Sequence, residues 1–345
     1  MKNKLLLIIL LVVCFSFLTA CNIRTSPTNT TNVQSKENEE KIATNNTSTE
    51  VTESQPSTQN TETEYTEIRV SSAKDIFQNV KPYTRIILTE DYYNISKINP
   101  SSFNSENTYI ENAFDGYEFI IHDISNFEIC SEKNVMAEIV TEAPHVNVIS
   151  LKNCKNVKID GIVAGHEIEK GSCSGGVIHI DNSSNIEINN CHLYGCGTYG
   201  IISNECNNIT VNHTDIYECS YGLLDLYNSN NFEFNNCVLR DSEEFDMFSL
   251  HNCQKITFNN CTITGNVCKN ECSLIGTNEC RNIKFNRCLF EKNTYDTIGI
   301  KEDFELINCI GKDENFEVEF YPEYYDYDYD YDYDYDYDYD YDYDY

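Results

Sequence analysis

Imidazoles, carboxylates and phenols gather between positions 160 and 255 of this chain. His166, His179, Glu218 and Asp225 are the four side chains with acid–base capacity that spacing places near one another, and Asp181, Tyr194, Tyr199, Tyr227 and His251 accompany them. An imidazole or a carboxyl can move a proton at a reacting atom, and paired carboxyls can split the acid and base roles between them. No cofactor is expected, with Ca2+, which carboxylates ligate, the one option kept open. Phenol rings present flat apolar faces of the kind that stack on sugar rings. Such residues act together only if something rigid holds them on one face.

That scaffold is written as a repeat. A polar residue, mostly Asn, is followed by apolar–x–apolar at Asn126, Asn156, Asn185, Asn208, Asn231, Lys255, Asn282 and Asp303, at spacings of 21 to 30 residues. The positions one and three after this anchor hold pairs such as Ile186/Ile188, Ile209/Val211, Phe232/Phe234 and Ile256/Phe258. A second pair stands seven and five before it, as in Ile178/Ile180 and Leu224/Leu226, and a third six and eight after it, as in Cys191/Leu193 and Cys237/Leu239. Apolar–x–apolar is strand periodicity. Three such pairs per unit, joined by short polar turns, make a three-sided coil that cannot bury its inner face alone, so coils must stack about 4.8 Å apart on parallel ladders. Parallel crossovers favour right-handed winding. The expected fold is all-β: a right-handed parallel β-helix solenoid of about eight rungs, with a short N-terminal capping helix over 72–80 ending before Pro82, and with a disordered stalk and tail.

The stacked register brings the outward positions of the strand before each anchor into two columns. One runs Ser150, His179, Ile202, Asp225, Ser249 and Gly276; the other runs Lys152, Asp181, Asn204, Tyr227, His251 and Asn278. His179 and Asp225 then lie two rungs apart, roughly 9–10 Å. His166 and Tyr194 to Tyr199 belong to loops beside this face, and Glu218 to the next rung. Outward strand positions are also polar simply because they meet water, and that reading stays open.

The repeat resembles the pectate-lyase-like superfamily of right-handed parallel β-helices over roughly residues 110 to 315, and its Asn anchor resembles their asparagine ladder; Lys255 and Asp303 depart from it. The resemblance implies the fold. It leaves function open, because such folds carry lyases, hydrolases, epimerases, adhesins and non-catalytic surface proteins. Calcium-assisted lyase chemistry as the family runs it needs several Asp ligands with basic groups beside them, and these columns offer only Lys152. The expected function is a cell-surface lipoprotein that binds a carbohydrate through one face of the solenoid, with cleavage left open. The alternative is a non-catalytic, adhesin-like structural lipoprotein.

Seventeen cysteines sharpen the picture. Cys154, Cys206, Cys253 and Cys280 stand two before the anchor, alternating with Ser183 and Ser229. Cys191, Cys237, Cys261, Cys288 and Cys309 stand six after it. Interchange with Ser and Thr at fixed rung positions marks a small inward slot, where a thiol behaves as a compact apolar group. Cys173, Cys196 and Cys219 fall twelve before their anchors, and three readings apply there: another inward ladder, one disulfide beside a thiol, or a metal site. Cys268 and Cys272 have ligand-like spacing without a partner pair, so no metal is assigned.

The ends complete the layout. Lys2 and Lys4 precede an apolar run from Leu5 to Phe17 and the sequence Leu18-Thr19-Ala20-Cys21. The run is too short for a membrane span and reads as a secretion signal. The ending resembles a bacterial lipobox, which implies lipidation of Cys21 and anchoring outside the cytoplasm. The expected divisions are a signal peptide at 1–20, a Ser/Thr/Asn-rich stalk at 21–66, a cap and first strands at 67–110, the solenoid at 111–320 and a Tyr-Asp tail at 321–345. Net charge is −32, of which ten charges are the Asp residues of the Tyr-Asp repeat; this argues against nucleic acid as a partner. The expected partners are a membrane, through the lipid, and a polysaccharide or glycan, with the chain a monomer.

Overall fold

The structure is a computed structural model and describes residues 64–168, 171, 173–195, 197–269 and 271–316. The signal peptide, Cys21, nearly all of the stalk, Cys196 and the Tyr-Asp tail lie outside the described residues. No helix among those described is long and apolar enough to cross a membrane.

The described chain is a right-handed parallel β-helix with three long sheets and a two-stranded one. The anchor sheet has ten strands, running from Thr66–Val70 and Thr84–Leu88 through Ser184–Asn189, Asn207–Asn212 and Asn230–Asn235 to Phe304–Ile307. Its register stacks Ile186, Ile209, Phe232, Ile256, Ile283 and Phe304 in one column and Ile188, Val211, Phe234, Phe258, Phe285 and Leu306 in the next. The sequence spacing thus becomes a physical column. Most of these side chains are fully buried, each contributing about 1.5–3 kcal/mol from removal of apolar surface from water. Phe258 sits between Phe234 at 4.7 Å and Phe285 at 4.4 Å, all three rings nearly parallel. The two remaining long sheets run through the strands before and after each anchor strand. The pre-anchor sheet begins with an antiparallel hairpin, Thr108–Asn112 with Tyr117–His122, the one departure from parallel pairing among the described residues.

The turns explain the abundance of Asn. The coils recurrently turn through residues at positive φ, among them Asn182 (43°), Asn185 (55°) and Asn190 (52°), or Asn228 (49°), Asn231 (55°) and Asn236 (54°). Asn tolerates this left-handed conformation better than most residues. Its side chain then bonds along the stack: Asn156 donates to Asn126, Asn185 to Asn156, and Asn208 to Asn185, at 2.9–3.1 Å. A second ladder joins Asn189, Asn212, Asn235, Asn259 and Asn286 at 2.7–3.0 Å. Lys255 keeps the conformation (φ 58°) without an amide to continue the ladder.

The Cys/Ser/Thr slots have a hydrogen-bond logic beyond size. The side chain donates to the carbonyl two residues earlier, as Ser183 does to Asp181 O at 2.7 Å and Cys206 to Asn204 O at 3.2 Å. It also accepts the backbone N–H of the equivalent residue one coil earlier, as Ser183 does from Cys154 and Ser229 from Cys206. A thiol and a hydroxyl both meet these two demands, and an alkyl group meets neither. At the third corner Cys173 is disulfide-bonded, which excludes a column of thiols alone there.

The N-terminal helix, α1 (Ala73–Gln78), starts at Ser72, whose hydroxyl accepts the Asp75 N–H, and buries Ile76 and Phe77. Phe77 stacks on Phe119 at 5.1 Å, and Thr108 donates to the Phe77 carbonyl. The helix therefore covers apolar groups of the first coils, as a solenoid end requires.

Candidate functional site

Alternation along the pre-anchor strands sorts inside from outside. In Gly222–Tyr227, Leu224 and Leu226 are fully buried while Asp225 and Tyr227 face out; Phe248–His251 likewise buries Phe248 and Leu250 and turns Ser249 and His251 outward. Register pairs Asp225 with Ser249 and Tyr227 with His251. The Ser249 hydroxyl donates to Asp225 Oδ1 at 2.8 Å and lies 3.2 Å from His251 Nε2. Its single proton is used on Asp225, so the His251 nitrogen must be the donor in the second bond. This order, His251 to Ser249 to Asp225, supports a carboxylate; it is not a nucleophile arrangement, where the imidazole would sit between serine and acid. The His251 ring stacks on Tyr227 at 4.6 Å and 5°.

Two glycines make room for the rest. A Cβ at Gly222 would stand 2.8 Å from Tyr199 Cε1 and 2.4 Å from the Asp246 carbonyl, and one at Gly276 would stand 2.1 Å from Asp246 Oδ2. The Tyr199 ring therefore lies over one strand and the Asp246 carboxyl over another. Asp246 accepts the Ser273 N–H at 2.7 Å. Burial raises the pKa of both Asp225 and Asp246, against the partial relief of the Ser249 and Ser273 hydrogen bonds respectively. The Tyr199 phenol is held up by burial first, then by the charges of Asp225 and Asp246. Two carboxyls that resist ionisation beside one phenol are the kind of perturbed cluster found at functional sites. Around them stand exposed rings: Tyr227 at 41%, Tyr221 at 40% and Phe245 at 38%. Tyr199, Tyr221 and Phe245 meet edge to face at 6.4 and 4.9 Å.

Thus Tyr199, Asp225, Tyr227 and His251 come together. His179 and Asp181 lie farther along the same two columns, with Ile202 between His179 and Asp225. Asp181 accepts from Asn204 at 3.1 Å and pairs with Lys152 at 3.6 Å. Three residues lie elsewhere. His166 ends the strand Ile162–His166 of the third sheet and is 2% exposed, its Nε2 bonded to Val146 O at 2.9 Å, and burial lowers its pKa. Tyr194, also on the third sheet, donates to Glu138 at 2.7 Å and stacks on Tyr217, over which Arg240 lies at 4.1 Å. Glu218 is exposed in a turn at φ 58°. Asp246, Tyr221 and Phe245 are additions from the structure. Among the described residues no group of three His, Cys, Asp or Glu side chains is placed to hold a metal ion.

Residues 133–290 match the family described as right handed beta helix region. No curated protein matches the chain by sequence. Among solved structures, the chain is similar to pectate lyase Bsp165PelA from Bacillus sp. N165, in complex with trigalacturonate, at 12% identity and a TM-score of 0.45, over 75% of this chain and 87% of that one. It is also similar to PfbA, a surface adhesin of Streptococcus pneumoniae, at 12% identity and 0.35, over 74% and 72%. A third is the A-module of the Azotobacter vinelandii mannuronan C-5 epimerase AlgE6, at 12% and 0.32, over 72% and 81%.

Proposed function

We propose that this protein binds a carbohydrate chain along the pre-anchor face, around Tyr199, Asp225, Tyr227, Asp246 and His251, and that lipid on Cys21 holds it at a membrane surface outside the cytoplasm. The observation that carries the reading is the pair of carboxyls, Asp225 and Asp246, kept partly desolvated beside exposed aromatic rings. Flat rings supply apolar contact to a sugar face, and the polar groups fix its hydroxyls. A carboxyl with a raised pKa is also the form that donates a proton to a leaving glycosidic oxygen, so cleavage by an acid–base pair would use these two residues. The ligand class favoured is a neutral or cationic glycan. A polyuronate would meet a chain of net charge −32, and the cation of this face, Lys152, already faces Asp181.

The test is a glycan array probed with the chain lacking its first 21 residues, followed by product analysis on any ligand found. Binding to neutral or amino sugars supports the reading; silence across a broad panel removes it. The anchor is tested separately, since Cys21→Ser should move the protein from the membrane fraction to the soluble one.

A further inference from the structure

Cys253 and Cys280 occupy the same inward slot on successive coils. The residues flanking them pair in register, His251 with Asn278 and Gln254 with Arg281, so the two backbones stand one strand spacing apart, about 4.8 Å. That separation lies within the range a disulfide spans, about 4.4–6.8 Å between Cα atoms. The Cys253 N–H donates to the Cys280 sulfur at 3.4 Å, so the sulfur already points at its neighbour. Other slots stack thiols too, but Cys191, Cys237 and Cys261 are all sealed inside the coil, whereas here the buried Cys253 has the accessible Cys280 as its neighbour. Here both cysteines line a surface cavity of about 580 Å3 together with Asn228, Asn252, Glu279 and Arg281. The side chain of Cys280 is half-buried. The hydrogen bond between the two thiols lowers the Cys280 pKa and raises that of Cys253, so Cys280 is the thiol that ionises first. Thiolate is the attacking species in disulfide exchange.

We propose that Cys253 and Cys280 form a reactive dithiol that small-molecule disulfides oxidise to a bond between consecutive coils. The Cys280 thiolate attacks one sulfur of the disulfide, forming a mixed disulfide and expelling one thiolate. Cys253 gives its proton to the thiolate first expelled and attacks the Cys280 sulfur, forming the intramolecular bond and expelling the second thiolate. The protein loses two hydrogens, and the small-molecule disulfide is reduced to two thiols.

The experiment uses the full chain incubated with oxidised glutathione, alkylated, digested and mapped by mass spectrometry. The expected product links the Cys253 and Cys280 peptides and retains no glutathione. Cys253→Ser should trap glutathione on Cys280, and Cys280→Ser should abolish both products at this site. Serine already fills the slot at Ser183 and Ser229, so both variants should fold, which a circular-dichroism spectrum checks. Continued alkylation of Cys280 after the incubation would overturn the proposal. So would a glutathione adduct in the parent chain that never resolves, or a cross-link confined to Cys288 and Cys309.

Discussion

Ser229 offers the sharpest view of what the inward slots do. Its side chain is fully buried, donates to the Tyr227 carbonyl at 2.7 Å, accepts the Cys206 N–H at 3.2 Å and lies 3.1 Å from the Ser203 hydroxyl. Ser229→Ala removes one oxygen and leaves the Cys206 N–H, itself buried, without that acceptor. An unsatisfied buried donor costs about 1–3 kcal/mol, and the Ser203 hydroxyl adds to it, so about 2–3 kcal/mol is expected. At about 2–4 °C per kcal/mol for a domain of this size, the midpoint should fall by about 4–12 °C. Ser229→Cys keeps a donor and an acceptor at the site, and Cys fills the same slot at Cys154, Cys206 and Cys253; its cost should stay under about 1.5 kcal/mol. The assay is thermal and urea unfolding of both variants beside the parent. An alanine variant as stable as the parent, or a cysteine variant as damaged as the alanine one, would refute the hydrogen-bond account of the slot.

Phe258→Ala should cost about 3–5 kcal/mol in urea unfolding, because it opens a cavity between the stacked rings of Phe234 and Phe285. Burial lowers the His166 pKa, so the folded state binds fewer protons than the unfolded one. Stability should be full above the unfolded value of about 6.5 and fall as pH drops through it; midpoints measured from pH 8 to 5 should show a shallower decline for His166→Gln. Burial raises the Asp246 pKa, and the ionised carboxylate weakens the fold at neutral pH with relief on acidification. Asp246→Asn, whose amide oxygen still accepts the Ser273 N–H, should therefore melt higher than the parent at pH 7 and about equally at pH 4.

The columns were legible because a solenoid turns linear recurrence into contact. Asn185 to Asn208 to Asn231 is a spacing in the sequence and a ladder in space, and Ile186, Ile209 and Phe232 pack as their spacing implies. The two outward columns were equally readable, since the register stacks them rung on rung. What the repeat could not place were residues outside its register. Asp246 sits in the loop before its strand and reaches the face only because Gly222 and Gly276 lack side chains; those glycines were the available signal. His166 has the spacing of a loop residue beside the face, yet it ends a third-sheet strand, and a Cβ at Gly197 would stand 3.3 Å from its ring. Tyr194 turns away for a similar reason: the missing side chain at Gly165 lets its ring cross toward Glu138.

The claim that one sheet face is the binding surface is tested most directly by titrating any glycan found on the array against three variants in parallel. Tyr227→Ala and Asp225→Asn alter the proposed surface, while Tyr194→Phe alters the neighbouring sheet and keeps its ring. Affinity should fall about tenfold or more for the first two, the loss of about 1.4 kcal/mol of contact each, and stay at the parental value for the third. Equal affinity across all three, or a loss confined to Tyr194→Phe, would contradict the assignment of the face.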